Sequence, residues 1–271
     1  MRIGELDFDV RIEGDPAGEV VVLLHGFPQH AGAWDGVWPA LVEAGYRAVL
    51  PDQRGYSPGA RPDGRAAYAG HELAKDVVGL LDGLGVDRAH VVGHDWGGAV
   101  AWQLGSDAPE RLRTLTVVST PHPRALIRSM VTSSQAARSW YMGVFQLPAV
   151  PEKLLLAGRG KLLRRMLRGS GLPGPIATDY VTRMLAPGAL TAALNWYRAL
   201  PLTRGGQDPI TTPTLYVWGA EDFALGPAAA AATARYVTGP YTYVQLPGGP
   251  HWLPELQPER LLEPLLDHLR R

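Results

Sequence analysis

The feature that most limits the fold is Val20–Leu24, a run of five apolar residues with no polar face. A strand with one wet side alternates apolar and polar residues, so a run apolar on both sides must be covered on both. Further strands, mostly apolar, are read at Ala48–Leu50, Ala89–Val92, Leu112–Val118, Thr214–Val217 and Tyr241–Leu246. Between them the period changes. Leu73, Val77, Leu80, Leu81 and Leu84 share one helical face, and Gly85 closes that helix. Gly97–Leu104, Pro227–Tyr236 and a segment carrying Leu261, Leu262, Leu265, Leu266 and Leu269 read as further helices. Strands alternating with helices predict an α/β fold, a mostly parallel sheet with helices on both faces. At the amino terminus Leu6, Phe8, Val10 and Ile12 alternate, which predicts one half-exposed strand before the turn at Gly14-Asp15-Pro16.

The rhythm fails between about residues 121 and 205, where Pro121, Pro123, Pro148, Pro151, Pro173, Pro175 and Pro187 interrupt segments of helical pattern. A helical insertion is expected there, with residues 1–120 and 206–271 forming the core and 121–205 a cap. The cap would sit over the C-terminal edge of the sheet, where open α/β folds place their ligands. Within it, Arg159–Arg168 holds five basic residues around Leu162, Leu163, Met166 and Leu167. That pattern predicts a helix with a solvated basic face rather than one lying on a membrane.

Composition removes several other functions. Basic and acidic residues balance at 26 each, which leaves no electrostatic footprint for nucleic acid. The absence of cysteine excludes a disulfide framework, a thiolate nucleophile and a Cys-zinc site. His30, His71, His90, His122 and His268 show no metal-ligand spacing, so no metal is expected. No apolar run approaches the roughly 18 residues that span a bilayer, and the first residues lack a signal-peptide core. A cytoplasmic protein without a membrane partner is the expectation. The excess of Arg, Ala and Gly, with only three lysines, fits a GC-rich bacterial genome.

Chemistry concentrates at Gly93-His94-Asp95-Trp96-Gly97-Gly98, which follows a predicted strand and opens a predicted helix. This is the setting of the G-x-S-x-G elbow, whose glycines allow a tight turn that pushes the central side chain out at the sheet edge. Here that residue is aspartate. A serine attacking saturated carbon would leave an ether, which water cannot readily cleave. A carboxylate leaves an alkyl ester, hydrolysable at its carbonyl. Asp95 therefore points to epoxides or alkyl halides rather than to acyl transfer. In the chain order of this fold the acid and the histidine follow the nucleophile. His251, in Gly248-Gly249-Pro250-His251-Trp252, lies between the last strand and the last helix. Asp222 follows the preceding strand and would orient His251, with Glu221 the competing choice. The oxyanion donors would be the backbone N–H groups of Trp96 and of Phe27, in His25-Gly26-Phe27-Pro28. His25 and His94 read as positioning or packing residues.

With these motifs the sequence resembles the soluble epoxide hydrolases of the α/β-hydrolase fold, over nearly its whole length. Haloalkane dehalogenases share the core motifs, so the insertion separates the two. Trp140-Tyr141-Met142-Gly143-Val144-Phe145-Gln146 and Asn195-Trp196-Tyr197-Arg198 are similar to the two cap motifs of the epoxide hydrolases. The resemblance implies that Tyr141 and Tyr197 hold the epoxide oxygen and that one of them protonates the departing alkoxide, a help that halide does not need. Phe27 stands where haloalkane dehalogenases often carry Asn, and Trp96 where fluoroacetate dehalogenases carry Arg. The expected function is cofactor-independent conversion of an epoxide and water to a vicinal diol by a monomer or homodimer. Asp95, Asp222, His251, Tyr141 and Tyr197 would be catalytic, and Phe27, Trp96, Tyr141, Tyr197 and Trp252 would contact substrate. The alternatives are a haloalkane dehalogenase using the same Asp95 ester and a catalytically silent binding protein.

Overall fold

A computed structural model describes residues 1–206 and 208–270. The first thirteen residues are not the single strand expected. Arg2–Ile3 (β1) and Leu6–Asp7 (β2) form a small antiparallel hairpin, and Gly4 takes the left-handed φ of 59° in its turn. Only Val10–Glu13 (β3) joins the main sheet. Alternation records which side chains face inward, not where pairing changes partner, so it is blind to this break.

The main sheet adds Val20–Leu24 (β4), Arg47–Pro51 (β5), Ala89–His94 (β6), Leu112–Val118 (β7), Thr214–Gly219 (β8) and Tyr241–Leu246 (β9), in the order β3-β5-β4-β6-β7-β8-β9. β3 runs antiparallel at one edge, and every other neighbouring pair is parallel. The apolar runs do serve two faces. Val20, Val22 and Leu24 point into one core with Val91, Leu115 and Val117. Val21 and Leu23 point into another with Val92, Val118, Leu215 and Val217.

Helices cover both faces. Trp38–Glu43 (α1) contributes Leu41 to the second core, whereas Gly70–Gly83 (α2) and Trp96–Asp107 (α3) pack on the first. α2 ends as its sequence indicates: Gly85 is left-handed at φ 69°, and the Val86 N–H returns to the Leu81 carbonyl at 2.9 Å.

Between β7 and β8 the chain runs through Pro123–Thr132 (α4), Gln135–Arg138 (α5), Trp140–Phe145 (α6), Val150–Gly169 (α7), Gly174–Met184 (α8) and Ala189–Arg198 (α9). α7 is broken at Ala157–Gly160, where Gly158, Arg159 and Gly160 are all left-handed. Its second half buries Leu163 and Leu167 while Leu162 and Met166 stay exposed. Pro227–Ala232 (α10) follows β8 and is shorter than the periodicity suggests. Its alanines end at 232, the buried Thr233 hydroxyl turns back to the Ala229 carbonyl, and Thr233–Tyr236 forms a 3₁₀ turn. Leu253–Leu256 (α11) and Pro258–Leu269 (α12) end the fold, and α12 lays Leu261, Leu265 and Leu269 on the second core. Among the described residues no helix is long and apolar enough to cross a membrane.

Candidate active site

The parallel strands β4, β6 and β8, with β9 beside them, end on one edge of the sheet, and the loops there carry Phe27, Asp95, Asp222 and His251. Asp95 stands between β6 and α3 with φ 51° and ψ −118°, a conformation that side chains other than glycine rarely adopt. The surrounding glycines are steric necessities. A Cβ on Gly97 would collide with the Leu24 carbonyl, one on Gly93 with the Gly97 carbonyl, and one on Gly26 with Asp95 itself. Gly26 thus lets the loop after β4 close on the carboxylate. The Phe27 N–H donates to Asp95 Oδ1 at 2.8 Å, and the Trp96 N–H also bonds the carboxylate. Burial raises the Asp95 carboxyl above its ordinary range, while His251 and these two amides pull it back.

His251, in the loop after β9, turns Nε2 toward Asp95 Oδ2 at 3.7 Å and Nδ1 toward Asp222 Oδ2 at 2.8 Å. Asp222 Oδ1 accepts the N–H groups of Ala224 and Leu225 at 2.8 and 2.9 Å, so each oxygen of this buried carboxylate is occupied. Glu221 is exposed and does not meet the histidine. Burial opposes a charge on His251, yet Asp222 and then Asp95 outweigh it and push its pKa up to about 9.

Tyr141, on α6, and Tyr197, on α9, lie with ring centroids 6.2 Å apart, and Tyr197 is edge-on to both Phe27 and Trp96. Burial raises both phenols, helped at Tyr141 by Asp95 and at Tyr197 by Tyr141 and then Asp95, so they keep their protons far into the alkaline range. With Asp95 and His251 they line a cavity of about 120 Å³ whose remaining wall is mainly apolar: Phe27, Pro28, Phe145, Leu163, Met166, Leu167, Phe223 and Trp252. Trp252 also donates its indole N–H to Ser170 Oγ at 3.0 Å. The Trp96 ring is not in that wall. It packs against Tyr197 and Trp196 and lines a separate cavity of about 140 Å³.

Beyond His94, several residues around the site escape the sequence reading. His94 sets one ring nitrogen 2.9 Å from the His251 carbonyl and the other 3.0 Å from Gln29 Oε1, and donates to one of the two; Gln29 donates to Glu255 at 2.6 Å, and Tyr180 joins Glu255 at 2.8 Å. Ser119 Oγ reaches the His251 carbonyl, and Thr120 Oγ1 the Asp95 carbonyl. Burial keeps His94 neutral, its pKa well below the ordinary value. The one available signal was the spacing of Glu255, four residues after His251. The basic segment of α7 proves to supply cavity wall through Leu163, Met166 and Leu167, which no charge pattern reveals.

The family profile described as the alpha/beta hydrolase fold matches residues 19–258. The chain is 35% identical to the AB hydrolase superfamily protein YfhM of Bacillus subtilis, over 96% of this chain and 93% of that one. It is 33% identical to epoxide hydrolase A of Mycobacterium tuberculosis, over 94% and 92% of the two chains. The crystal structure of epoxide hydrolase A from Mycobacterium thermoresistibile superposes with a TM-score of 0.85 at 29% identity, covering 100% of this chain and 97% of that one. The sheet order, the aspartate elbow and these matches together make the chain a member of the α/β-hydrolase fold family, in its epoxide hydrolase group.

Proposed function

We propose that this protein is an epoxide hydrolase that converts epoxides to vicinal diols through an alkyl ester on Asp95. One observation carries the reading: a half-buried carboxylate shares a largely apolar cavity with a histidine and two tyrosines whose phenols are held protonated. Membership beside proteins named epoxide hydrolases supports it. Asp95 Oδ1 is already engaged by the Phe27 N–H, which leaves Oδ2 as the oxygen free to attack a ring carbon. As the C–O bond of the ring breaks, Tyr141 or Tyr197 gives its proton to the oxygen, because an alkoxide is a stronger base than a phenolate.

The ester then needs water. In the resting enzyme His251 is protonated, held so partly by the charge of Asp95. Alkylation neutralises Asp95 and removes that contribution, so His251 gives up its proton, which returns to the tyrosinate left by ring opening, and the neutral imidazole can then take a proton from water. Water attacks the ester carbonyl, Oδ1 becomes the oxyanion before the Phe27 and Trp96 amides, and the bond to Oδ2 breaks to release the diol. Asp222 keeps the imidazole oriented throughout. In this scheme residues 121–205 act as the cap that supplies both tyrosines and, with Phe145, Leu163, Met166 and Leu167, about half of the apolar wall.

Intact-mass analysis of His251→Gln tests the scheme. Without the base, the variant should accumulate protein heavier by one whole epoxide when incubated with an epoxide panel, and should gain nothing from haloalkanes. A gain of an alkyl group with halide released would make the protein a dehalogenase instead. Tight epoxide binding with neither adduct nor turnover in the unsubstituted enzyme would make it a silent binder.

A further inference from the structure

We propose that Gln135 and Arg138, on helix α5 of the insertion, are positioning residues for ester hydrolysis that hold the loop carrying Asp222 against His251. The inference rests on the two-step reading above. Residues 222–226 belong to neither a strand nor a helix, yet one of them must present a carboxylate to a histidine with hydrogen-bond accuracy. Inside the core the loop is held by Asp222 itself and by the Trp218 indole, which donates to the Leu225 carbonyl at 3.0 Å. Backbone bonds hold its two ends, from the Asp222 N–H to the Gly219 carbonyl and from the Ala230 N–H to the Gly226 carbonyl, and further side-chain restraints come from α5. Gln135 Nε2 donates to the Ala224 carbonyl at 2.8 Å while Oε1 accepts the Gly226 N–H at 2.8 Å, so one amide pairs with the loop backbone in both directions. Arg138 Nη1 donates to the carbonyls of Asp222 and Phe223 at 3.0 and 2.9 Å.

These bonds have few substitutes. Gln135 is 1% exposed, and its second amide hydrogen is taken by Ser139 Oγ. An apolar residue there would strand a buried carbonyl and a buried N–H, which then recover partners only by moving the loop. The approach is close, since a Cβ on Gly226 would come within 3.2 Å of Gln135 Oε1. Attack on the epoxide uses Asp95 and the two tyrosines, none of which hydrogen-bonds this loop. Water activation uses His251, whose orientation is set by Asp222, whereas the loop gives the first step only apolar wall through Phe223 and Ala224, so the brace acts chiefly on the second step.

The test follows single turnovers of Gln135→Met, Arg138→Met and Arg138→Lys in the full-length chain, by rapid quench and intact mass. Styrene oxide, 1,2-epoxyhexane and cyclohexene oxide serve as probes. Both Met variants should form the ester within about threefold of the unsubstituted rate but hydrolyse it about tenfold more slowly or worse, so that it accumulates. Arg138→Lys, which keeps one cationic nitrogen donor, should restore hydrolysis. The pH midpoint of the hydrolytic step should also move down in the Met variants. At that stage Asp95 is esterified and His94, on β6, is neutral. Asp222 and Glu255, on α11, are then the charges left to raise His251, and Asp222 is the larger influence. Unchanged hydrolysis with an unchanged midpoint overturns the brace, as does equal slowing of both steps, which would mark a purely structural role. Absence of ester from all three probes in His251→Gln would overturn the two-step reading itself. Ester in His251→Gln alongside normal Met variants would overturn the brace alone.

Discussion

His251 keeps a proton at neutral pH because Asp222 and Asp95 face it inside a cavity that otherwise disfavours charge. Its folded pKa, about 9, lies above the ordinary 6.5, so the stabilisation is complete below pH 6.5 and lost as pH rises to 9. His25 and His122 behave oppositely. Burial lowers both to about 4, so the stability they confer as neutral groups is lost as pH falls below 6.5. The midpoint of thermal unfolding should therefore peak near pH 6.5, and His251→Gln should flatten the alkaline side alone. A variant with an unchanged alkaline slope would remove His251 as its source. At the same scale, Tyr197→Phe deletes a proton donor without emptying the aromatic cluster of Phe27, Trp96 and Phe145. Ester formation should slow by about 10²-fold or more, with far less effect on hydrolysis of ester already formed. Stopped-flow alkylation rates would show it. The residue types of the candidate site were legible in the sequence because the proposed ester chemistry at saturated carbon needs a carboxylate. Gln29, Glu255 and Gln135 were not, since a glutamine or glutamate becomes informative only when burial forces it to find partners.

Among the elements, α9 matters most to the site because Tyr197 rides on it. The next residue anchors the helix: Arg198 meets Glu152 on α7 through two nitrogens at 2.7 and 3.0 Å. It also donates to the carbonyls of Phe145 and Leu147, each at 2.9 Å. Both charged side chains are nearly buried, so Arg198→Met would leave a carboxylate and two carbonyls without their donor. Stability should fall by about 3 kcal/mol in denaturant titrations, and ester formation should slow as Tyr197 drifts. A loss below about 1 kcal/mol would mean that water replaces the guanidinium. The motif Asn195-Trp196-Tyr197-Arg198 was visible in the sequence, but the reach of Arg198 across 46 residues to Glu152 was not. The break in α7 escaped for a related reason. Gly158 and Gly160 permit left-handed backbone, but Arg159 adopts it only because both flanking turns are already packed.

For the whole molecule, the sheet and the insertion are held by different forces. β6 is buried along its entire length and the strands beside it are apolar on both faces, so opening them exposes the whole core. The insertion meets the core through polar links as well, among them His30–Asp179 at 2.6 Å and Arg183–Asp52 at 3.2 Å. Amides of β6 and β7 should exchange hydrogen only through global unfolding, whereas α4 to α6 should exchange at least about tenfold faster through local opening. Peptide-resolved exchange mass spectrometry would show the contrast, and equal protection would mean that insertion and sheet unfold as one unit.

By itself the sequence determined the two-faced parallel sheet, because an apolar run such as Val20–Leu24 has no side that water can occupy. It determined the elbow as well, because Gly93, Asp95 and Gly97 stand in local order between a strand and a helix, although the Leu24 carbonyl that excludes a side chain at 97 comes from another strand. Tertiary structure alone decided which neighbouring carboxylate meets His251, where the basic helix becomes cavity wall, and which glutamine holds the acid loop. Each of these is a distance between residues far apart in the chain. Such distances are set by how the helices of the insertion pack over the sheet edge, which no local pattern of residues encodes.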